Sequence, residues 1–252
     1  MIKVVLLGSG NVAYHLALAL KSAEHVELIQ RYSRNGTNDN LFDSSIPHTC
    51  DLKTLLSADV YIIALKDKAI ASVSEKITHL KGLVVHTSGT VPMHGLHSKL
   101  NRGVLYPVQS LSIKQNIEFN AVPLVIETEK NEDLQLLHNL ASQLSDHIFN
   151  LDSIAREKLH ISAVFANNFS NYMFTCAQSI CQENQIPFEV LKPLILETGK
   201  KIQYMDPLEA QTGPARRNDQ QVNEKHLSQL SGELKGIYEI LTAAISKTYQ
   251  PK

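Results

Sequence analysis

Gly8, Gly10 and Ala13 stand at G-x-G-x-x-[GA] spacing in Gly8-Ser9-Gly10-Asn11-Val12-Ala13. The chemistry open to such a run is pyrophosphate binding. The first glycine allows a tight turn, the second lets the backbone approach the phosphates, and the third small residue lets a helix pack on a strand. The pattern alone is weak. Here it follows the apolar run Ile2-Lys3-Val4-Val5-Leu6-Leu7 and opens a stretch with Val12, Leu16, Ala19 and Leu20 at helical spacing, the start of a βαβ unit. The helix start aims free N–H groups at a phosphate. Gly8, Ser9, Gly10, Asn11 and Val12 are therefore the first candidate cofactor residues. The plain alternative is a glycine turn in an α/β protein that binds nothing.

A second strand, over 25–31, runs into Gln30-Arg31-Tyr32-Ser33-Arg34 and ends without a carboxylate. NAD-binding proteins usually place Asp or Glu there for the ribose 2′-hydroxyl. Ser33 and Arg34 can instead donate to a 2′-phosphate, which points to NADP as the cofactor. Strand alternation sets Arg31 and Ser33 on one side and Arg34 on the other. The alternative is a solvated strand end.

Further polar residues fall where later strands should end. Ala64-Leu65-Lys66-Asp67 follows the apolar run from residue 58, and Ala64 and Leu65 would lie along the cofactor. His86-Thr87-Ser88-Gly89-Thr90 follows the next run. There His86 is a candidate for the cofactor and Ser88 for a hydrogen-bond relay; ordinary turn chemistry is the competing reading. Tyr106-Pro107-Val108-Gln109-Ser110 ends a third strand, with Gln109 a candidate for substrate. On a long helix, His160, Asn167, Asn168 and Asn171 fall at i, i+7, i+8 and i+11, one face. His160 has an intrinsic pKa suited to proton transfer. Asn168 is placed beside it in catalysis, and Asn167 and Asn171 with the substrate. The alternative is a solvated helix face. Arg216, in Thr212-Gly213-Pro214-Ala215-Arg216-Arg217, could bind an anionic group, or the run could be a charged interhelix loop. His94-x-x-His97 has no third ligand nearby, so no metal site is expected.

These side chains need a scaffold, and the chain alternates apolar strand runs with helical stretches up to about residue 150. A doubly wound parallel sheet is expected over 1–150. Past residue 151 no strand signal remains. One long helix from Asp152 or Ser153 through Ala166 toward Cys181, another opened by Pro187, and two near 220–230 and 233–246 imply an all-helical domain over 151–252. The 252 residues fit two domains, and 43% apolar against 19% charged residues allow a buried core. A net charge of −1 gives no basic surface for nucleic acid or an anionic membrane. No apolar run approaches a membrane span, no signal-peptide pattern opens the chain, and three cysteines without CxxC spacing suggest no disulfide framework. A cytoplasmic protein is expected.

Gly8–Ala13, Tyr32-Ser33-Arg34 and Ile63-Ala64-Leu65-Lys66-Asp67 resemble the NADP-binding half of pyrroline-5-carboxylate reductases and related β-hydroxyacid-type dehydrogenases. With His86-Thr87-Ser88-Gly89, Tyr106 to Ser110, Ala166-Asn167-Asn168-Phe169 and Thr212 to Arg217, nearly the whole chain resembles a bacterial group of Rossmann-like proteins named as NADP oxidoreductases, whose C-terminal domain has no established function. The resemblance implies a helical substrate domain that pairs two copies into a homodimer. Many β-hydroxyacid dehydrogenases use a Lys with an Asn four residues on; here Lys158 is followed at that distance by Ser162. Three functions stay open: NADP(H)-dependent hydride transfer to a C=O or C=N bond of a small anionic metabolite, a non-catalytic NADP-binding sensor or regulatory module, and exchange between NADP and a deazaflavin.

Overall fold

The computed structural model of the chain describes residues 1–36 and 39–249. They form two compact units, Met1–Asn168 and Phe169–Lys252; residues 250–252 lie outside the described part.

The first unit is built on one sheet. Its strands are β1 (Ile2–Leu7), β2 (Val26–Tyr32), β3 (His48–Thr49), β4 (Val60–Ile63), β5 (Leu83–His86), β6 (Asn101–Pro107), β7 (Leu124–Thr128) and β8 (Ile148–Asn150). Their spatial order is β3-β2-β1-β4-β5-β6-β7-β8, the Rossmann order 3-2-1-4-5-6 extended by two strands. The central strands are buried on both faces, so Val4-Val5-Leu6-Leu7 reads as an unbroken apolar run. Val4 and Leu6 join one core with Leu16, Leu20, Leu137 and Leu140, from α1 (Asn11–Ser22) and α3 (Asn131–Ser142). Val5 and Leu7 join the opposite core with Ile70, from α2 (Asp67–Lys76). Helices thus cover both faces, as the alternation of strand and helix predicts.

The parallel expectation fails at one ladder. β6 and β7 pair antiparallel, with Leu105 opposite Ile126, while the remaining pairs run parallel. A parallel return needs a crossover, usually a helix. Between β6 and β7 lies only a three-residue 3-10 turn, Phe119–Ala121, so the chain comes back directly. β3 has no apolar signal and is two residues long, which is why alternation misses it.

The long helix also departs from its expected continuity. It starts at α4 (Ser153–Ala163), capped by Asp152, which accepts from the Ala155 N–H at 2.7 Å. A π-helical turn, Val164–Phe169, follows, and then α5 (Ser170–Glu183). The turn carries both Asn167 and Asn168, residues that hold an α-helix weakly, and such turns concentrate at functional sites. α4 belongs to the compact first unit, which for that reason extends beyond residue 150.

The second unit continues with α6 (Lys192–Lys201), α7 (Pro207–Ala210), α8 (Gln220–Leu227) and α9 (Gly232–Tyr249). Asp206 and Asp219 cap α7 and α8. Of its two cysteines, Cys181 is buried and Cys176 is half-buried. No helix among the described residues is long and apolar enough to cross a membrane.

Candidate functional site

β1, β4, β5 and β6 run parallel, so Gly8, Ala64, His86 and Pro107 leave the sheet on the same edge. That carboxyl edge is where doubly wound sheets bind ligands.

The glycine loop is shaped for close approach. Gly8 takes φ +148°, and a Cβ there would stand 2.3 Å from the Ala64 carbonyl oxygen. Its N–H donates to the Tyr32 carbonyl at 2.8 Å, tying the loop to the end of β2. Gly10 is exposed and a Cβ on it would meet nothing within 4 Å. Space therefore lies open above the backbone at the start of α1, where Asn11 is the first helical residue and Val12 turns partly inward. Ala13 is fully buried against the sheet. A phosphate pair fits this cradle, since the one glycine whose side-chain space is filled is forced by the turn and the other faces solvent.

At the end of β2, Ser33 is 2% exposed and its Oγ lies 2.9 Å from His48 Nε2. Arg31 is buried as well, its guanidinium carbon 3.9 Å from the centroid of Phe42. Arg34 is exposed. The alternation thus separates a buried Arg31 and Ser33 from a solvent-facing Arg34.

The β5 loop is held by a residue that sequence reasoning missed. Arg156 on α4 is completely buried. Nη1 donates to the Ser88 and Val91 carbonyls, both at 2.9 Å. Nη2 donates to Ser153 Oγ at 3.0 Å and to Glu127 Oε2 at 3.2 Å. Ser88 Oγ accepts from the Thr90 and Val91 N–H groups at 3.1 and 3.0 Å. Thr90 Oγ1 donates to Asp67 at 2.8 Å. His86 is sealed at the strand end, where Nδ1 accepts from the Ser88 N–H at 3.2 Å. Burial, with the Arg156 charge adding to it, pushes the His86 imidazole down to about 4, so the ring is neutral near pH 7. Arg156 had one signal in the sequence: it precedes His160 by four residues, on the same helix face.

Gly89 sits at the tip of this loop, and a Cβ on it would come within 2.6 Å of His160 Nδ1 and 2.9 Å of Tyr106 Cζ. Tyr106 Oη and His160 Nδ1 are 3.0 Å apart, their rings edge to face. Burial raises the Tyr106 phenol above its ordinary value, which keeps its proton in place to be donated. Beside the pair opens a cavity of about 530 Å³ lined by Tyr106, Gln109, Ser110, His160, Asn167 and Asn168 among others. The structure thus gathers His160, Asn168, Asn167 and Gln109 into one cavity and sets Ser88 one residue from the glycine that touches its wall. Asn171 falls in the second unit on α5, and Arg216 falls in that unit as well. Arg216 Nη1 donates to the Glu209 carbonyl at 3.3 Å and to that of Gln211, and the guanidinium lies 5.1 Å from the Tyr249 ring centroid. Among the described residues no group of three His, Cys, Asp or Glu side chains is arranged to hold a metal.

Residues 122–245 match the model of a domain of unknown function, DUF2520. No curated protein matches the chain. Among solved structures, a Bacteroides fragilis protein described as a "putative NADP oxidoreductase" is 35% identical, with 98% of each chain covered and a TM-score of 0.87. A Thermotoga maritima protein is 17% identical, with 98% of each chain covered and a TM-score of 0.76. The Plasmodium falciparum pyrroline carboxylate reductase, solved with NADP bound, shares the fold at 13% identity and a TM-score of 0.61, over 99% of this chain and 98% of its own. With that similarity over 98% of its length, the chain belongs to the family of the Bacteroides fragilis protein: a Rossmann-type fold with a helical C-terminal region, the DUF2520 match running from β7 of the sheet into α9.

Proposed function

We propose that this chain is an NADP(H)-dependent oxidoreductase that reduces a C=O or C=N bond in a small metabolite. The observation that carries the reading is the Tyr106–His160 pair, 3.0 Å apart at the carboxyl end of β6, on the sheet edge that also carries the Gly8–Gly10 cradle. The description of the 35%-identical Bacteroides fragilis protein as a "putative NADP oxidoreductase" supports an oxidoreductase. The exposed Arg34 beside Ser33 supports NADP over NAD.

In this reading Gly8, Ser9, Gly10, Asn11 and Val12 hold the pyrophosphate, Arg34 meets the 2′-phosphate, and Ala64 and Leu65 flank the rest of the dinucleotide. The nicotinamide, when bound, supplies the hydride. Tyr106 and His160 hold the proton that the reduced oxygen or nitrogen takes up. With the phenol donating to Nδ1, His160 Nε2 carries the imidazole proton toward the cavity. Gln109, Asn167 and Asn168 orient the substrate. Ser88 holds the loop beneath, its hydroxyl already accepting two backbone N–H groups. The expectation of an anionic metabolite rests on Arg216 alone.

NADPH and NADH titrations of the wild type and Arg34→Ala test the cofactor. The wild type should prefer NADPH and the variant should lose most of that preference; equal wild-type affinities would overturn NADP. NADPH oxidation against carbonyl and imino compounds tests turnover, which Tyr106→Phe and His160→Ala should suppress. One observation favours the sensor reading instead: Ser162 stands where dehydrogenases of this type place Asn, and its hydroxyl donates to the Lys158 carbonyl at 3.0 Å. Tight NADPH binding without turnover of any panel member would select that reading.

The helical unit supports a homodimer. Val190, Leu194, Leu196, Leu208 and Ile240 are each more than half exposed, more apolar surface than a small helical unit leaves in water. Light scattering should give twice the 28.1 kDa chain mass; a monomer at micromolar concentration would overturn this.

A further inference from the structure

We propose that the cavity beside Tyr106 and His160 takes an uncharged ligand of the carboxamide or lactam class, not a carboxylate. The inference rests on the oxidoreductase reading and assigns its substrate class.

The first observation is the chemistry of the walls. Among the described residues no Lys, Arg, Asp or Glu lines the cavity. Three carboxamides do: Gln109, Asn167 and Asn168. Asn167 and Asn168 are exposed, and their amides are paired by water until a ligand displaces it. Gln109 Oε1 accepts from the Ser110 N–H at 2.8 Å, which leaves its NH₂ group to donate. Each asparagine offers a donor and an acceptor. A ligand carboxamide or lactam answers both. A carboxylate only accepts, so it would use the NH₂ groups and leave the amide oxygens to water, with no cation in the described lining to offset its lost hydration.

The second observation concerns the cations that could have served an anion. Arg156, the fully buried guanidinium that holds the Ser88 loop, is committed to Glu127, Ser153 and the Ser88 and Val91 carbonyls. Arg216, the anion-binding candidate of the sequence, is bonded to two backbone carbonyls and stacked on Tyr249 within its own unit. His160 has its Nδ1 engaged by Tyr106.

The test is a fragment set balanced between carboxamides, lactams and size-matched carboxylates. It is screened by saturation-transfer NMR against the full chain loaded with NADP⁺, so that binding in place of the cofactor is not counted. Cavity ligands are those lost in both Gln109→Ala and Asn167→Ala. Carboxamides and lactams should dominate them, with each matched carboxylate at least about tenfold weaker, because no cation among the described residues lines the site. Gln109→Arg should reverse that order. Carboxylates binding as well as their amides in the wild type, or no cavity ligands of either kind, would overturn the proposal. NADPH-dependent turnover of a carboxylate substrate would keep the oxidoreductase reading and discard this one. Amide binding without turnover would do the opposite.

Discussion

Replacing Arg156 by Met removes a buried charge while keeping an unbranched apolar side chain. Arg156 has no solvent exposure and makes four hydrogen bonds of 2.9–3.2 Å. Its partner Glu127 has a side chain only 13% exposed. That carboxylate also accepts from the Ser153 N–H at 3.0 Å and from Ser153 Oγ at 2.8 Å, which soften but do not cancel the loss of its cation. Breaking one side of a buried pair costs about 3–5 kcal/mol. For a chain of this length that corresponds to a melting temperature lower by about 6–20 °C. Thermal and urea unfolding read the total. Hydrogen exchange locates it: the Thr90 and Val91 amides, which donate to Ser88 Oγ, should exchange faster than those of β1. Adding Glu127→Gln should recover at least about 1 kcal/mol relative to the sum of the single changes, because it removes the stranded charge. Arg156→Met melting within about 2 °C of the wild type, or single changes that simply add, would refute this account of the loop.

Gly10→Ala should leave stability within about 0.5 kcal/mol, since its Cβ meets nothing within 4 Å; NADPH affinity, read by calorimetry, should fall about tenfold or more as the methyl enters the phosphate space. Gly8→Ala should instead destabilise the fold by more than about 1 kcal/mol, given φ +148° and the Ala64 carbonyl at 2.3 Å. His86 links stability to pH. Its folded value is about 4 against an ordinary 6.5, so the unfolded chain binds the extra proton between them. The stability it contributes is complete above pH 6.5 and is lost as pH falls toward 4, by up to about 3 kcal/mol. The difference between wild-type and His86→Gln urea midpoints should follow that window; a flat difference would contradict it. Gly89→Ala should push Tyr106 and His160 apart and lower turnover by about 10²-fold, with NADPH affinity kept.

The sequence by itself determined the elements whose cause is local. Val4-Val5-Leu6-Leu7 can only be a strand buried on both faces, and Gly8, Gly10 and Ala13 declare the turn that follows it. Asp152 announces the start of α4, and the missing carboxylate at Ser33-Arg34 is visible in the residue types alone. The spacing of His160 and Asn167 points to one helix face at 3.6 residues per turn, a period that the π-helical turn Val164–Phe169 then interrupts. Tertiary structure decided what depends on distant partners. The antiparallel β6–β7 ladder follows from the lack of a crossover helix between them, which no strand pattern records. Arg156 looks like a surface arginine until Glu127, 29 residues away, and the Ser88 and Val91 carbonyls surround it. Tyr106 becomes a partner for His160 only because β6 and α4 bring residues 54 positions apart within hydrogen-bond reach. A side chain's charge is written in its type, but whether that charge is free for a ligand or spent on the fold is set by the atoms packed against it.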